Sequence, residues 1–210
     1  MRDLIGWHPG KSVLNLTPES DRSRDPHWRA GFEQLGRHSL SFETTCYDHQ
    51  LGELIELATA YPDQPIILCH MGTPVAAGGP FGDYGHTKEE REATFARWRE
   101  GMAKLAECPN VCVKLSGLAM PVCGFGWERR PTPPTVSELT NRLGPFVTFV
   151  IEHFGPERCM FASNFPVAKA SMPLATLFDA YRSMAPGSEA SLFRGTAERV
   201  YRIAPVSERG

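Results

Sequence analysis

The sequence predicts an α/β fold built on a parallel sheet, and three features of its 210 residues support that prediction. Four short apolar runs rich in Val, Ile and Phe recur along the chain, and such runs are typical of buried parallel strands. Longer segments with apolar residues at helical spacing separate these runs. Strands that alternate with helices need crossover connections, which place the strands parallel in one sheet.

Each predicted strand is one of these apolar runs. In chain order they are LSFETTCY (40–47), PIILCHMG (65–72), NVCVKLSG (110–117) and RCMFASNFP (158–166). The longest irregular stretches, 73–86 and 118–134, directly follow the second and third runs. Loops after parallel strands lie on the functional face of such folds, so these two are predicted to wall a substrate site.

The first predicted helices carry recognisable start signals. Asp25 and Pro26 fit an N-cap followed by a proline in the first turn. Apolar residues at helical spacing predict a second helix over 51–58, and Thr87 predicts the cap of a third, longer one.

The later helices are predicted in the same way. Thr135 with Glu138 fits a capping box, and Gly155-Pro156 is a stop signal for that helix. Apolar spacing predicts two further helices, near 173–185 and 189–202. We expect a single domain over 1–203, followed by a C-terminal tail at 204–210.

Composition excludes several classes of partner. Hydrophobic residues make up 41% of the chain and charged residues 22%, and the net charge is −2. Lys and Arg form no basic block, so neither nucleic acid nor an acidic membrane surface is expected as a partner. No run approaches the roughly 20 apolar residues of a membrane span, and the apolar run at the N-terminus is too short for a signal peptide.

The six Cys show no CxxC pair, and several of them lie inside apolar runs. This distribution predicts buried, reduced thiols in a cytoplasmic protein rather than a disulfide framework.

Polar residues stand at the end of all four apolar runs. They are Tyr47, Asp48 and His49 after the first, His70 after the second, Lys114 and Ser116 in the third, and Ser163 and Asn164 in the fourth. The carboxyl ends of parallel strands meet at one rim, so these side chains predict a functional site there.

His70 is the strongest single candidate in this set. It follows a run of apolar residues and precedes Met-Gly, where the chain turns. An imidazole at such a position can ligate a metal or polarise a carbonyl group. The alternative is a half-buried histidine that bonds a loop carbonyl.

Lys114 and Asn164 each leave two interpretations open. The Lys114 ammonium group lies inside an apolar strand, so it must find a partner or line a polar cavity. It is either an anchor for an anionic substrate or one half of a structural ion pair with a carboxylate on a neighbouring strand. Asn164 is neutral and cannot act as a general base, but its amide can hold a substrate or a water. Alternatively, it is a turn residue.

Four motifs occur along the chain in a fixed order: PIILCHMG, NVCVKLSG, FGPERCMFASNFPV and LFRGTAERVYRI. Together they resemble amidohydrolase family 2, a group that includes 2-pyrone-4,6-dicarboxylate lactonase and sugar-lactone hydrolases. The resemblance covers about residues 1–203 and implies a (β/α)8 TIM barrel with its site at the carboxyl-end rim.

The resemblance also implies roles for individual residues. The family carries a His in a DH-[ML]-G context, which His70 matches, and this His is a metal ligand where metal is bound. It usually carries a water-activating Asp in a GSDWP context, and Asn164 stands at that position. Met1-Arg2 resembles the remnant of a GIR motif that contributes an Arg, and Tyr47 matches a polar residue that ends the next strand. The predicted substrate-binding set consists of Arg2, Tyr47, Lys114 and Ser116.

Two departures from the family pattern matter. The His-x-His pair of the family's first strand occurs nowhere in this sequence. The four runs match strands five to eight, and MRDLIGWHP matches the end of strand four. The resemblance therefore predicts an incomplete barrel, from a truncated chain, a misplaced start codon or a split gene. Asn164 in place of Asp removes the standard base and weakens the case for a divalent, zinc-like metal.

These features predict a hydrolase that acts on a lactone or related cyclic ester of a small carboxylate or sugar acid. His70 would polarise the carbonyl, Asn164 would position water or substrate, and Lys114 with Arg2 would neutralise a substrate carboxylate. The expected partner is a small anionic molecule, and a homo-oligomer is an open alternative to a monomer. Two other functions stay open: a catalytically inactive barrel with a binding or structural role, and a decarboxylase on the same scaffold.

Overall fold

The computed structural model describes residues 1–204 and shows strands and helices alternating along the chain. The strands are β1 (Phe42–Thr44), β2 (Ile66–Leu68), β3 (Val111–Leu115) and β4 (Cys159–Phe161). The helices are α1 (Pro26–Arg37), α2 (Leu51–Ala60), α3 (Lys88–Ala106), α4 (Val136–Phe154), α5 (Leu174–Met184) and α6 (Thr196–Tyr201). Each predicted strand and helix is present. Most of the predicted tail, 205–210, lies outside the described residues.

The strands form a parallel sheet in the order β1-β2-β3-β4. Phe42 pairs with Ile66 and Ile66 with Val111, while Val113 pairs with Cys159. Arg2 adds a parallel bridge to Glu43 at the outer edge of β1. The sequence-predicted parallel α/β order is therefore confirmed, and a further strand position precedes β1.

The helix caps follow the predicted chemistry, with one correction. The Asp25 side chain accepts from the Trp28 backbone N–H, and Thr87 forms a full capping box with Glu90. The Thr135 side chain caps α4 by accepting from the Glu138 backbone N–H. The second hydrogen bond of the predicted capping box, from the Thr135 backbone N–H to the Glu138 side chain, is not formed, so that part of the prediction is wrong. The Glu138 carboxylate instead accepts hydrogen bonds from Trp127 and Arg130 in the preceding loop.

The predicted helix near 189–202 is divided in two. A π-helical turn covers Ser191–Gly195, and the short helix α6 follows it.

The two faces of the sheet differ in chemistry, because successive side chains on a strand point to opposite faces. One face packs in the main core with the helices, and it includes Phe42, Ile66, Leu68, Val113 and Leu115. The opposite, inner face carries the residues between them, including Glu43, Ile67, Lys114 and Met160. Charge is thus placed on the inner face of the sheet, beneath the carboxyl-end rim.

Within residues 1–204, none of the helices is long and apolar enough to cross a lipid bilayer. All six Cys are free and buried, as predicted.

Candidate functional site

The turn that follows β2 places His70 at the carboxyl-end rim. It spans Cys69–Gly72, and His70, Met71 and Gly72 have φ angles of 59°, 51° and 64°. This left-handed backbone is unfavourable for residues with a Cβ, so the surrounding structure must hold it. Trp98 of α3 contributes, because its Nε1 donates a hydrogen bond to the Met71 carbonyl oxygen at 2.6 Å.

The imidazole of His70 is joined to the next strand along the sheet. Its Nδ1 lies 2.9 Å from Oγ of Ser116, a buried residue that directly follows β3. Burial, followed by the positive charges of Lys114 and Arg2, lowers the pKa of His70 to about 4. The ring is therefore neutral at pH 7, and Nε2 is the nitrogen that can address a ligand.

Gly117 has no side chain, and the His70 side chain fills the space where a Cβ at position 117 would lie. Its φ is +81°, and a Cβ built on it would lie 2.4 Å from the His70 Cβ. Both the backbone conformation and the close approach require glycine at this position.

We expect Gly117→Ala to lower the free energy of unfolding by about 1–3 kcal/mol, through the left-handed backbone and the clash with His70. Urea unfolding measures this. Gly31→Ala is the matched control, because Gly31 lies inside α1 and a Cβ there meets nothing within 4 Å. Alanine should stabilise that helix by about 0.5–1 kcal/mol. Equal effects of the two substitutions would contradict the proposed crowding.

Glu43 of β1 is the common hydrogen-bond acceptor of the charged and polar side chains on the inner face of the sheet. Its Oε1 accepts from Lys114 Nζ at 2.7 Å, from Cys69 Sγ at 3.0 Å and from the Arg2 guanidinium. Its Oε2 accepts from the Tyr201 hydroxyl at 2.9 Å. Lys114 therefore forms the ion pair that the sequence left as an alternative, and Arg2 joins the same carboxylate.

Glu43 was not singled out as a candidate from the sequence. The sequence does contain a signal for Glu43: it is a carboxylate in the middle of the apolar run 40–47, just as Lys114 is a cation inside the apolar run 110–117. A charged residue inside such a run predicts an oppositely charged partner on the same face of the sheet.

Burial alone would raise the pKa of Glu43, but hydrogen bonds from Lys114 and Cys69 and the charge of Lys114 hold it at about 2. Glu43 is thus ionised at pH 7. One carboxylate faces two cations, Lys114 and Arg2, so the cluster keeps an excess positive charge.

The stability of the fold is expected to decrease as the pH falls from about 4.5 to about 2. The pKa of Glu43 is about 2 in the folded protein against an ordinary value of 4.5. The unfolded chain takes up this proton first, so the contribution of Glu43 is complete above pH 4.5 and is lost toward pH 2. Urea unfolding across this window measures the decrease. The loss should be shallower in Glu43→Gln, and an unchanged slope would contradict the assignment.

Asn164 follows β4 with a left-handed backbone, at a φ of 54°. Its backbone oxygen accepts from the Ala168 N–H at 3.0 Å, as the turn interpretation expects. Its side-chain Nδ2, however, is buried and has no hydrogen-bond partner among the described residues. A buried donor without a partner is costly, so this amide suits a ligand or a water. Its role in binding stays a prediction.

Tyr47 lies on the same rim, after β1. It is buried, and its hydroxyl donates a hydrogen bond to the Leu14 carbonyl oxygen. The ring of His8 packs edge-on against Tyr47, His49 and Tyr84, with centroids 5.0–5.7 Å apart. A group of neutral aromatic and imidazole rings thus flanks the side of the rim away from β4.

The two long loops after β2 and β3 are joined to each other. Ala76 N–H donates to the Val122 oxygen, and Gly78 N–H donates to the Cys123 oxygen, both at 2.8 Å. Trp127 in the second loop is buried and stacks on Phe125. The loops therefore form one packed wall beside the His70 turn.

The predicted zinc-like metal can be tested against the donor atoms present. Among residues 1–204, no three or more His, Cys, Asp and Glu side chains are grouped so that they could hold a metal ion. Zinc is bound by three or four such ligands, and His70 has the hydroxyl of Ser116 beside it and the ammonium group of Lys114 near it. The described residues by themselves do not fit this ion. The role of His70 as a metal ligand stays a prediction, and we assign no chemical step to a metal.

Comparisons with known proteins give a consistent result. A family model described as amidohydrolase matches residues 10–203. The protein y4mH of Sinorhizobium fredii is 35% identical over 209 residues, which cover 97% of this chain and 60% of that protein. An L-fucono-1,5-lactonase of Burkholderia ambifaria is 29% identical over 206 residues, which cover 92% of this chain and 60% of that enzyme. The chain thus spans about 60% of the length of these curated relatives.

Solved structures confirm the fold. A crystal structure of an amidohydrolase from Burkholderia multivorans with bound zinc superposes with a TM-score of 0.68 at 24% identity, covering 86% of this chain and 58% of that one. A second crystal form of that protein gives a TM-score of 0.69. The predicted fold class is confirmed: the four parallel strands and the Arg2 bridge correspond to about strands four to eight of a (β/α)8 barrel.

Proposed function

The chain belongs to the amidohydrolase family, and from this membership we propose that it serves the hydrolysis of a lactone or related cyclic ester of a small carboxylate or sugar acid. The observation that carries the proposal is the neutral His70 imidazole, held at the carboxyl-end rim by Ser116. Two relatives support the substrate class, since they are named L-fucono-1,5-lactonase and L-rhamnono-gamma-lactonase.

The geometry suggests how the chain's own residues act. When the Ser116 hydroxyl donates to Nδ1 of His70, the proton of the neutral ring is on Nε2. Nε2–H then donates to the lactone carbonyl oxygen and stabilises the negative charge that develops on it. Water attacks the carbonyl carbon, the ring C–O bond breaks, and a proton passes to the ring oxygen. The buried, unpartnered amide of Asn164 positions the water or the substrate.

The inner-face cluster supports the choice of an anionic substrate. Lys114 and Arg2 are both bound to Glu43, whose single negative charge balances only one of them. The excess positive charge that remains on the inner face attracts anions. Tyr47 and Ser116 complete the proposed substrate-binding set at the rim. The buried free thiols suit a reducing compartment such as the cytoplasm.

A binding role without catalysis is the second candidate. It is favoured by Asn164, whose neutral amide stands where the family usually has an aspartate and cannot act as a general base.

One assay separates the candidates. The purified chain is incubated in ¹⁸O-labelled water with two neutral lactones, L-fucono-1,5-lactone and L-rhamnono-γ-lactone, and with the anionic lactone 2-pyrone-4,6-dicarboxylate, and acid release and product mass are followed. A ring-opened acid with one ¹⁸O in the new carboxylate, formed faster than in the absence of the chain, supports hydrolysis. Release of CO₂ from 2-pyrone-4,6-dicarboxylate would instead indicate a decarboxylase. Binding of any of these lactones without turnover would favour the non-catalytic role.

A further inference from the structure

Glu43 of β1 contacts both of the segments that carry His70 and Ser116. Cys69, which donates its thiol hydrogen to Glu43 Oε1, directly precedes His70. Lys114, which donates to the same oxygen, stands two positions before Ser116 and therefore on the same face of the chain. One carboxylate thus contacts both the segment that carries His70 and the strand that carries Ser116.

We propose that Glu43 is a positioning residue, whose carboxylate ties the His70 turn to β3 and thereby fixes the His70 imidazole against Ser116. The catalytic consequence rests on the proposed lactone hydrolysis, whereas the structural tie does not.

The backbone alone does not provide this tie. The register between β2 and β3 ends at Leu68 and Val113, before either His70 or Ser116 is reached. Beyond that point the His70 turn adopts a left-handed backbone, which needs support from its surroundings. The contact between Cys69 and Glu43 supplies that support from the inner face, opposite to the Trp98 hydrogen bond.

The carboxylate itself is held in one orientation. A carboxylate has about four acceptor positions, and Glu43 receives hydrogen bonds from four donors. Arg2, Cys69 and Lys114 address Oε1, and the Tyr201 hydroxyl of α6 addresses Oε2. Rotation of the carboxylate would break several charge-assisted hydrogen bonds at once, so Glu43 is a rigid anchor.

The test compares two buried glutamates. Glu43→Gln keeps the shape of the side chain but removes its charge, which weakens the hydrogen bonds from Lys114, Arg2 and Cys69. The new amide nitrogen can face only Tyr201, because the Tyr201 hydroxyl can accept a hydrogen bond whereas the three donors at Oε1 cannot take its place. Glu53→Gln is the matched control: Glu53 is also buried, but its carboxylate bonds Ser23 and Gln50 on the helical layer. Cys69→Ala is a second variant that removes only the thiol contact and leaves the ion pair of Glu43 in place.

The first readout is independent of activity. Two-bond ¹⁵N–¹H correlation spectra at pH 7.5 report which nitrogen of the His70 ring carries the proton, with His70→Ala used for assignment. We expect one tautomer in the unmodified chain and in Glu53→Gln, and a mixed or changed pattern in Glu43→Gln and Cys69→Ala. Unchanged His70 signals in both of these variants would overturn the proposed tie.

The second readout is kinetic. If the chain hydrolyses a lactone, Glu43→Gln should lower kcat by about 10²-fold through misplacement of His70, with KM changed less than about 3-fold. A KM effect with unchanged kcat would overturn the positioning role. Altered His70 signals in a chain without turnover would support the tie and count against the proposed function. If Glu43→Gln leaves both the turnover and the His70 signals unchanged, the proposed function would be supported and the proposed tie would be wrong.

Discussion

Replacement of His70 by alanine is expected to lower kcat/KM for lactone hydrolysis by about 10²–10⁴-fold, the range that a positioned hydrogen-bonding or proton-transferring side chain contributes. The expected loss lies mainly in kcat, because the imidazole is needed most when negative charge develops on the carbonyl oxygen. Initial rates of acid release at several lactone concentrations separate the two parameters.

The fold should survive this substitution. His70 is partly exposed at the rim, and its backbone turn is held by Trp98 and by the contact between Cys69 and Glu43. His38→Ala is the matched control, because His38 is exposed at the C-terminal end of α1 and uses only its backbone N–H there. Equal activity in both variants would remove His70 from the mechanism.

Ser116→Ala should give a smaller loss than His70→Ala, since it leaves the imidazole in place but frees its tautomer and orientation. A larger loss in Ser116→Ala would instead give the hydroxyl the principal role.

Much of the fold is predictable from the sequence because the signals are local. The run PIILC (65–69) is continuously apolar, as a strand covered on both faces must be, and β2 lies inside it. Asp25 and Thr87 cap their helices because their side-chain oxygens satisfy N–H groups within three residues. These features depend on neighbours in the chain and not on the tertiary arrangement.

The candidate site was less predictable because its contacts are distant in sequence. Lys114 required a partner, but the residues around it do not show that this partner is Glu43, which stands 71 positions earlier, or that Tyr201, 158 positions after Glu43, bonds the same carboxylate. The left-handed turn at His70 and Met71 was also not foreseen, because only Gly72 among its residues signals such a backbone. Tertiary packing, not propensity, decides both features.

The four-donor cluster makes Glu43 a residue whose loss should strongly affect stability. The side chains of Glu43 and Lys114 are 11% and 16% exposed, so water can replace the partner that is removed only in part. We expect Glu43→Ala to lower the free energy of unfolding by about 3–5 kcal/mol, the range for breaking a buried ion pair from one side. This is a large fraction of the roughly 5–15 kcal/mol that stabilises a typical domain.

A double substitution tests whether charge is the cause. Glu43→Leu with Lys114→Met removes both members of the pair and replaces them with apolar side chains of similar size. If the cost of Glu43→Ala arises from an unpaired buried cation, this double variant should be more stable than Glu43→Ala, because no buried ammonium group is left without a partner. Arg2 is largely exposed and remains solvated in either case.

Urea unfolding followed by tryptophan fluorescence measures both effects. Glu100→Ala is the surface control: Glu100 pairs with Lys104 on α3, both side chains are exposed, and the free energy of unfolding should be nearly unchanged. If the double variant were as unstable as Glu43→Ala, the cost would come from lost packing or from the Tyr201 hydrogen bond. The inner-face cluster would then stabilise the sheet chiefly through shape and hydrogen bonding.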